Sequence, residues 1–341
     1  MPARKSPARR WRGDGRSDAG AVTGGVARGI AAAVLIVLAG CVAGEIQPAS
    51  VAASPIAAAP SAVALPLADP PARRLPAADF AFDDGAMIQG GIATGTVPPG
   101  TATLRLDDAP VAFAPDGRFL IAFDRDAGPA ATLIATRTDG SLVTRSLAIA
   151  PRAWRIERLN TLARFAQPSA EFARLRAAEL ARIAAAREIV TTATGWRQRF
   201  QWPAIGRISG QFGAQRVYRG EPGAYHSGVD VALPEGALVL APADGVVILA
   251  ADQPFTLEGN LLMIDHGLGL NSAFLHLSRI DVRTGDVVRQ GQLIGRVGHT
   301  GRATGPHLHW GMKWRDSRID PLLVAGPMPA TAPPPAAAPR R

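Results

Sequence analysis

This 341-residue sequence predicts a mainly β protein, with two β-rich parts separated by one amphipathic helix. Short alternating apolar runs recur along it, divided by turns that contain Pro, Asp and Gly. Its 36 glycines and 29 prolines suit strands, turns and linkers better than a helical bundle. One long stretch keeps the helical period instead. Hydrophobic residues make up 47% of the chain, enough for the cores of about two domains with tails.

Residues 1–41 read as an export leader. A basic start is followed by residues 29–44, which carry no charge and contain the apolar run Ala31-Ala32-Ala33-Val34-Leu35-Ile36-Val37. Leu38-Ala39-Gly40-Cys41 resembles a bacterial lipobox, which would make Cys41 the lipidated first residue of the exported protein. The expected location is the cell envelope or periplasm, with the chain held to the membrane by a lipid anchor. An uncleaved membrane segment and an ordinary buried cysteine are the rival readings, although the uncharged run is shorter than the roughly 20 residues of a span. Cys41 is the single cysteine, which excludes an intrachain disulfide and a cysteine-based zinc site. Of the net charge of +9, five charges fall in the first forty residues, and no Lys/Arg run with interleaved aromatics follows. Nucleic acid is therefore not an expected partner. Residues 42–78, rich in Ala, Pro and Ser, read as a flexible tether.

Between residues 79 and 150 the runs 101–106, 119–123 and 132–136 alternate like short strands, with turn signals at Pro98-Pro99-Gly100, Pro115-Asp116-Gly117 and Asp139-Gly140. Such spacing predicts a small, immunoglobulin-like β-sandwich. It holds no catalytic constellation, so a spacer or binding module is expected. Residues 151–201 form a helical linker. Within it Pro168-Ser169 opens a helix to about Val190, with Phe172, Leu175, Leu180, Ile183 and Val190 on one face, expected to pack on its own domain. Residues 325–341 are a Pro/Ala-rich tail expected to be disordered.

Residues 202–324 are strand and turn throughout. Residues 236–247 loosely echo 285–297, each placing a glycine turn between apolar strands, as in lipoyl or biotinyl carriers. Those carriers need a lysine at the hairpin tip, and the chain's only lysines are Lys5 and Lys313, so that reading fails. All six histidines fall in this part, between His226 and His309. His307 and His309 stand at i and i+2, so on a strand both project from one face about 6–7 Å apart. One can then bind a metal while the other reaches a water beside it. His226 and Asp230 stand at i and i+4, about 13 Å apart in a straight strand, so a shared ion demands a bend that Gly228 can supply. Any one buried histidine is more often a hydrogen-bonded core residue than a ligand. Three histidines and an aspartate in glycine-bracketed turns point instead to a metal site, and no HExxH motif competes with it.

His226-x-x-x-Asp230 with Pro234-Glu235-Gly236, the 241–246 stretch, Phe274-Leu275-His276-Leu277-Ser278, and 301–309 ending in His307-Leu308-His309 resemble the lysostaphin/LytM-type zinc metallopeptidases. The resemblance covers roughly residues 202–321, about a third of the chain. Residues 79–190 also resemble the β-domain and helix that precede the peptidase in some proteobacterial envelope members. By position, the resemblance implies an antiparallel-β peptidase domain in which His226, Asp230 and His309 bind one Zn2+ per chain and His276 and His307 are the catalytic pair. Which of those two is the principal base stays open. The implied function is hydrolysis of peptide cross-links in peptidoglycan, the expected partner, by a metal-activated water. A catalytically silent wall-binding protein or amidase activator is the alternative, and so is a protease for a Gly-rich protein. Silent relatives typically lose ligands, whereas this chain retains them all. Arg216 and Arg219, near a loop that resembles the family's groove lining, are candidates to meet substrate carboxylates, with a solvated surface as the other reading. His266 reads as a structural hydrogen bonder, and His299 as a groove-rim or exposed residue.

Overall fold

Residues 79–161 and 169–330 are described by the computed structural model. The leader, Cys41 and the tether lie outside the described residues, as does the end of the tail. The first module consists of β1 (Ala81–Gly85), β2 (Ile92–Thr96), β3 (Thr101–Leu106), β4 (Ala109–Val111), β5 (Arg118–Ala122), β6 (Ala130–Arg137) and β7 (Leu142–Ala148). These form two antiparallel sheets, ordered β1-β2-β5 and β4-β3-β6-β7. Alternation explains the core: Ala131, Leu133 and Ala135 of β6 are buried and the residues between them are not. Phe119 is fully buried, with Phe80 and Phe82 packed edge-on against it. Each such aliphatic or aromatic side chain contributes about 1.5–3 kcal/mol on burial.

The stretch expected to be a linker is built into the second module. Its β8 (Ile156–Leu159) runs parallel to the later β10, and α1 (Ala170–Arg187) packs against the main sheet. Ser169 caps α1, its hydroxyl accepting from the Phe172 N–H. The helix is shorter than its periodicity predicts, ending at Arg187, and Val190 is 93% exposed beyond it. Its buried face also differs from the predicted one. Leu175 and Leu180 are exposed, whereas Ile183 and Ala186 are buried among Ile248, Leu249, Phe255, Leu261 and Met263. One turn earlier the inward positions are polar: Arg176 binds both oxygens of Glu258, and Glu179 accepts from the backbone and hydroxyl of Thr256.

After a 3₁₀ turn (Gly195–Arg197) come β9 (Arg207–Gly210), β10 (Gln215–Tyr218), β11 (Glu221–Tyr225), β12 (Gly228–Ala232), β13 (Leu238–Leu240), β14 (Gly245–Ala250) and β15 (Asn260–Asp265). They are followed by β16 (Leu270–Leu277), β17 (Arg279–Ile280), β18 (Val287–Val288), β19 (Leu293–Arg296), β20 (His307–Trp314), β21 (Ser317–Ile319) and the short α2 (Pro321–Ala325). An eight-stranded sheet runs β18-β14-β15-β16-β20-β12-β9, with β21 paired to β20. The internal echo in the sequence is structural. β13 pairs β19 and β14 pairs β18, so each half of the repeat pairs with the other, and Gly236 N–H→Val297 O mirrors Gly285 N–H→Val247 O. Along β20 the side chains of Leu308, Trp310, Met312 and Trp314 enter the core, leaving His307, His309, Gly311 and Lys313 on the opposite face.

A candidate metal and catalytic site

The site begins with a cross-strand pair. Asp230 of β12 lies directly opposite His309 of β20, so the carboxylate and the imidazole project from the same face at neighbouring positions. His226 precedes β12, in the loop after β11, and its ring turns back to the pair. Its Nδ1–H donates to Gln211 O at 3.0 Å, which leaves the Nε2 lone pair pointing inward. His226 Nε2, Asp230 Oδ1 and His309 Nδ1 then form a triangle with edges of 3.0, 3.0 and 2.9 Å.

Gly228 serves this site differently from the sequence reading. It begins β12 and does not hold a left-handed backbone; the chain turns ahead of it. What matters is its missing side chain, because a Cβ there would stand 2.4 Å from Trp310 O and 2.7 Å from His309 Nε2. Gly210 plays a similar part across β9, where a Cβ would strike Asp230 Oδ2.

The triangle passes a test of fit for zinc. Two imidazole nitrogens and a carboxylate oxygen are donors zinc accepts. Edges of 2.9–3.0 Å give a circumradius of about 1.7 Å, inside zinc's bond lengths of roughly 2.0–2.2 Å, so the three donors are close enough together to share one ion. The charges agree with this. Burial opposes ionisation of Asp230, yet the close-set rings of His226 and His309 hold its carboxyl far below the usual range. Burial holds His309 below the usual imidazole range. His226, also opposed by burial, is raised by Asp230. An anionic carboxylate between two inward-facing nitrogens is a natural cation seat, and this is the His/Asp grouping found among the described residues.

His276 and His307 flank the triangle. His307 shares the face of His309, two residues along β20, and its Nδ1–H donates to Gly305 O at 2.8 Å. Its Nε2 is left 3.8 Å from Asp230 Oδ1. His276 reaches the same face by another route. Simple alternation along β16 would bury it beside Phe274, but the β15–β16 register shifts between Asn260 and Leu262, and His276 takes a φ of +64°. This bulge, of a kind that re-aims side chains at active sites, turns the ring toward His307, at 4.8 Å between centroids. Its N–H bonds Glu258 O, and its Nδ1–H donates to Thr300 O at 2.9 Å. Burial lowers the His276 pKa to about 4, and the nearby His307 and His309 rings add to the effect. Both flanking rings therefore have Nδ1 tied to a backbone carbonyl and Nε2 free. The roles of those carbonyls, and of Gln211 O, escaped the sequence reading; Thr300 borders the recognised 301–309 stretch and Gly305 lies within it, which was the available signal.

The remaining candidates are placed elsewhere. His266 is fully buried, its Nδ1–H donating to Asp244 O and its Nε2 accepting from the Ser272 hydroxyl. His299 pairs with Glu235 at the surface. Arg216 bonds Glu157 and Arg219 bonds Thr161 O, so both guanidinium groups are engaged with the β8 segment.

A three-donor metal seat with two adjacent imidazoles supplies the ligands and proton acceptors that metal-assisted hydrolysis needs. The sequence points the same way: residues 224–321 match Peptidase family M23. The peptidoglycan DD-endopeptidase ShyA of Vibrio cholerae is 37% identical over 137 residues, 40% of this chain and 31% of that protein. The DD-carboxypeptidase/endopeptidase Mpg of Neisseria meningitidis is 40% identical over 127 residues, 36% of this chain and 28% of that protein. The chain thus spans less than a third of the length of either relative. The crystal structure of a putative peptidase M23 from Pseudomonas aeruginosa aligns with a TM-score of 0.55 at 28% identity, over 70% of this chain and 95% of that one. That likeness reaches well beyond residues 224–321.

Proposed function

We propose that the protein is a zinc-dependent endopeptidase that hydrolyses peptide cross-links of peptidoglycan. The observation that carries the reading is the set of three convergent donors beside two imidazoles with free Nε2 atoms. His226, Asp230 and His309 would hold one zinc, which when bound supplies a Lewis acid that makes water acidic enough to ionise near neutral pH. The substrate class rests on the relatives, two of which are named as DD-endopeptidases or DD-carboxypeptidase/endopeptidases. The same relatives suit an envelope location, with Cys41 as the proposed lipid anchor.

The chain's own residues divide the proton work. With Nδ1–H committed to Gly305 O, neutral His307 offers only an acceptor at Nε2, so it can take a proton from the attacking water and return it to the departing amine. His276 is held in the same tautomer by Thr300 O. Neutral, it accepts at Nε2 and cannot donate there; burial makes it a weak base. The base role therefore falls to His307, and His276 becomes a donor to the developing oxyanion only when protonated. Chelated protein should release no peptides from purified peptidoglycan, and added zinc should restore release, read by mass analysis of the digest. Undiminished hydrolysis by metal-free protein would end the reading.

A further inference from the structure

The sheet face that carries His309 continues along β20 into a second recess. Gly311 and Lys313 follow His309 on that face, and their cross-strand neighbours Ala273 and Asn271 share it. The far wall comes from outside the sheet, where α1 contributes Ile183 and Arg187; Arg318 of β21, opposite Lys313, also lines the recess. The resulting cavity of about 100 Å³ has room for a carboxylate and adjoins the metal seat through the His309 side chain.

Its charge is unbalanced. The one carboxylate that lines it, Glu258, is held through both oxygens by Arg176 at 2.6 Å. Arg187 is part-buried, and its Nε is buried without a hydrogen-bond partner. Among the described residues no ion pair involves Arg187 or Arg318, although Glu258 and Asp316 act on Arg187 from farther off, and Arg318 bonds the Tyr225 hydroxyl through its side chain. Lys313 has a 3.4 Å contact with Asp316, whose side chain is fully exposed. Burial and the charge of Arg318 lower the Arg187 pKa, and burial and the charge of Arg187 lower that of Lys313. Arg187 and Lys313 are part-buried cations that repel one another, with only the exposed Asp316 paired to Lys313, and an anion between them relieves that cost.

We propose that this recess is a substrate subsite that seats a carboxylate of the peptide, with Arg187 as its principal partner and Lys313 and Arg318 beside it. A guanidinium can receive both oxygens of a carboxylate, which suits Arg187 to the role. The inference rests on the hydrolase reading and adds the substrate chemistry: an acidic peptide with a free carboxylate near the bond to be cut. It also makes α1 part of recognition, since the helix supplies the central cation.

The test uses the full chain carrying His307→Ala, with two fluorescently labelled tetrapeptides that differ only in a C-terminal carboxylate or carboxamide. The acid should bind about tenfold or more tightly than the amide, as expected of one charge-assisted hydrogen-bonded pair. The preference should persist in metal-free protein, which separates this subsite from direct ligation of a metal. It should vanish in Arg187→Met and shrink in Lys313→Met, with melting curves showing both variants folded; Arg187→Lys should recover part of it. Equal binding of acid and amide, or an undiminished preference in folded Arg187→Met, overturns the subsite. The hydrolase reading fails separately, if zinc-loaded native protein releases nothing from peptidoglycan while the acid preference remains.

Discussion

At His276, backbone strain and chemistry coincide. A non-glycine residue at φ +64° costs on the order of 1–3 kcal/mol, and such costs persist where surrounding structure over-determines the conformation. Here the Glu258 and Thr300 carbonyls hold the backbone N–H and the ring. Asparagine tolerates the left-handed region, so His276→Asn should fold and retain about one zinc per chain while hydrolysis falls at least about 100-fold. Loss of zinc from that variant would instead place His276 among the ligands. His266 makes the opposite case, a histidine whose contribution is to stability. Its hydrogen bonds run in one direction, from Trp310 Nε1–H to Ser272 Oγ, from that hydroxyl to Nε2, and from Nδ1–H to Asp244 O. Burial lowers its pKa from 6.5 to about 4. Because the unfolded chain takes up the proton first, this contribution is complete above about pH 6.5 and is lost as pH falls toward 4, a change on the order of 3 kcal/mol. The stability advantage of the native protein over His266→Gln should therefore shrink across that interval in denaturant titrations at fixed pH. A pH-independent difference would mean that His266 titrates alike in both states.

At the scale of elements, the spacing of His307 and His309 was enough to put both on one face, because a strand has a period of two. The same rule failed at His276, where one bulge reverses the alternation, and no feature of the sequence marks a bulge between Leu275 and His276. The HxxxD spacing pointed to a shared ion without revealing that Asp230 faces His309 across two strands, since pairing is a long-range property. The reading of α1 went astray for a related reason. Apolar periodicity selected Leu175 and Leu180, but the sheet presents Glu258 and Thr256 to that end of the helix, so Arg176 and Glu179 turn inward. Replacing Arg176 by alanine leaves Glu258, whose side chain is 15% exposed, without its bidentate partner. The expected cost is about 2 kcal/mol, with α1 protease-sensitive before the sheet unfolds. Limited proteolysis with mass analysis checks this, and unchanged protection of residues 170–187 would show that Ile183 and Ala186 alone hold the helix.

At the scale of the whole molecule, the first module and the strand bearing the histidines are mechanically joined. Arg152, just after β7, donates to Asp320 at 2.8 Å, and Asp320 is 3% exposed. The same carboxylate caps α2 through the Leu322 N–H, and the Asp320 N–H bonds Gly90 O in the first module. Asp320 follows β21, which pairs with β20, so the junction lies one strand from His307 and His309. A second contact reaches the metal seat from the other side. Arg125 donates to Gly213 O and Gln215 and stacks on Tyr225, while Trp154 packs edge-on against Phe212, beside the Gln211 carbonyl that orients His226. Sequence reasoning assigned this module a spacer or wall-binding role because it holds no catalytic constellation, and its contacts with the second module come from scattered positions with no periodicity to detect. With such coupling the two modules should unfold in one calorimetric transition. Arg152→Ala strands a buried carboxylate, which costs about 3–5 kcal/mol, and should split that transition in two, the first module melting at the lower temperature. Peptide release should fall with it, because the loop that aligns His226 loses its support. If the variant keeps a single transition at the native temperature, the Arg152–Asp320 contact does not couple the modules, and their cooperation must run through Arg125 and Trp154 instead.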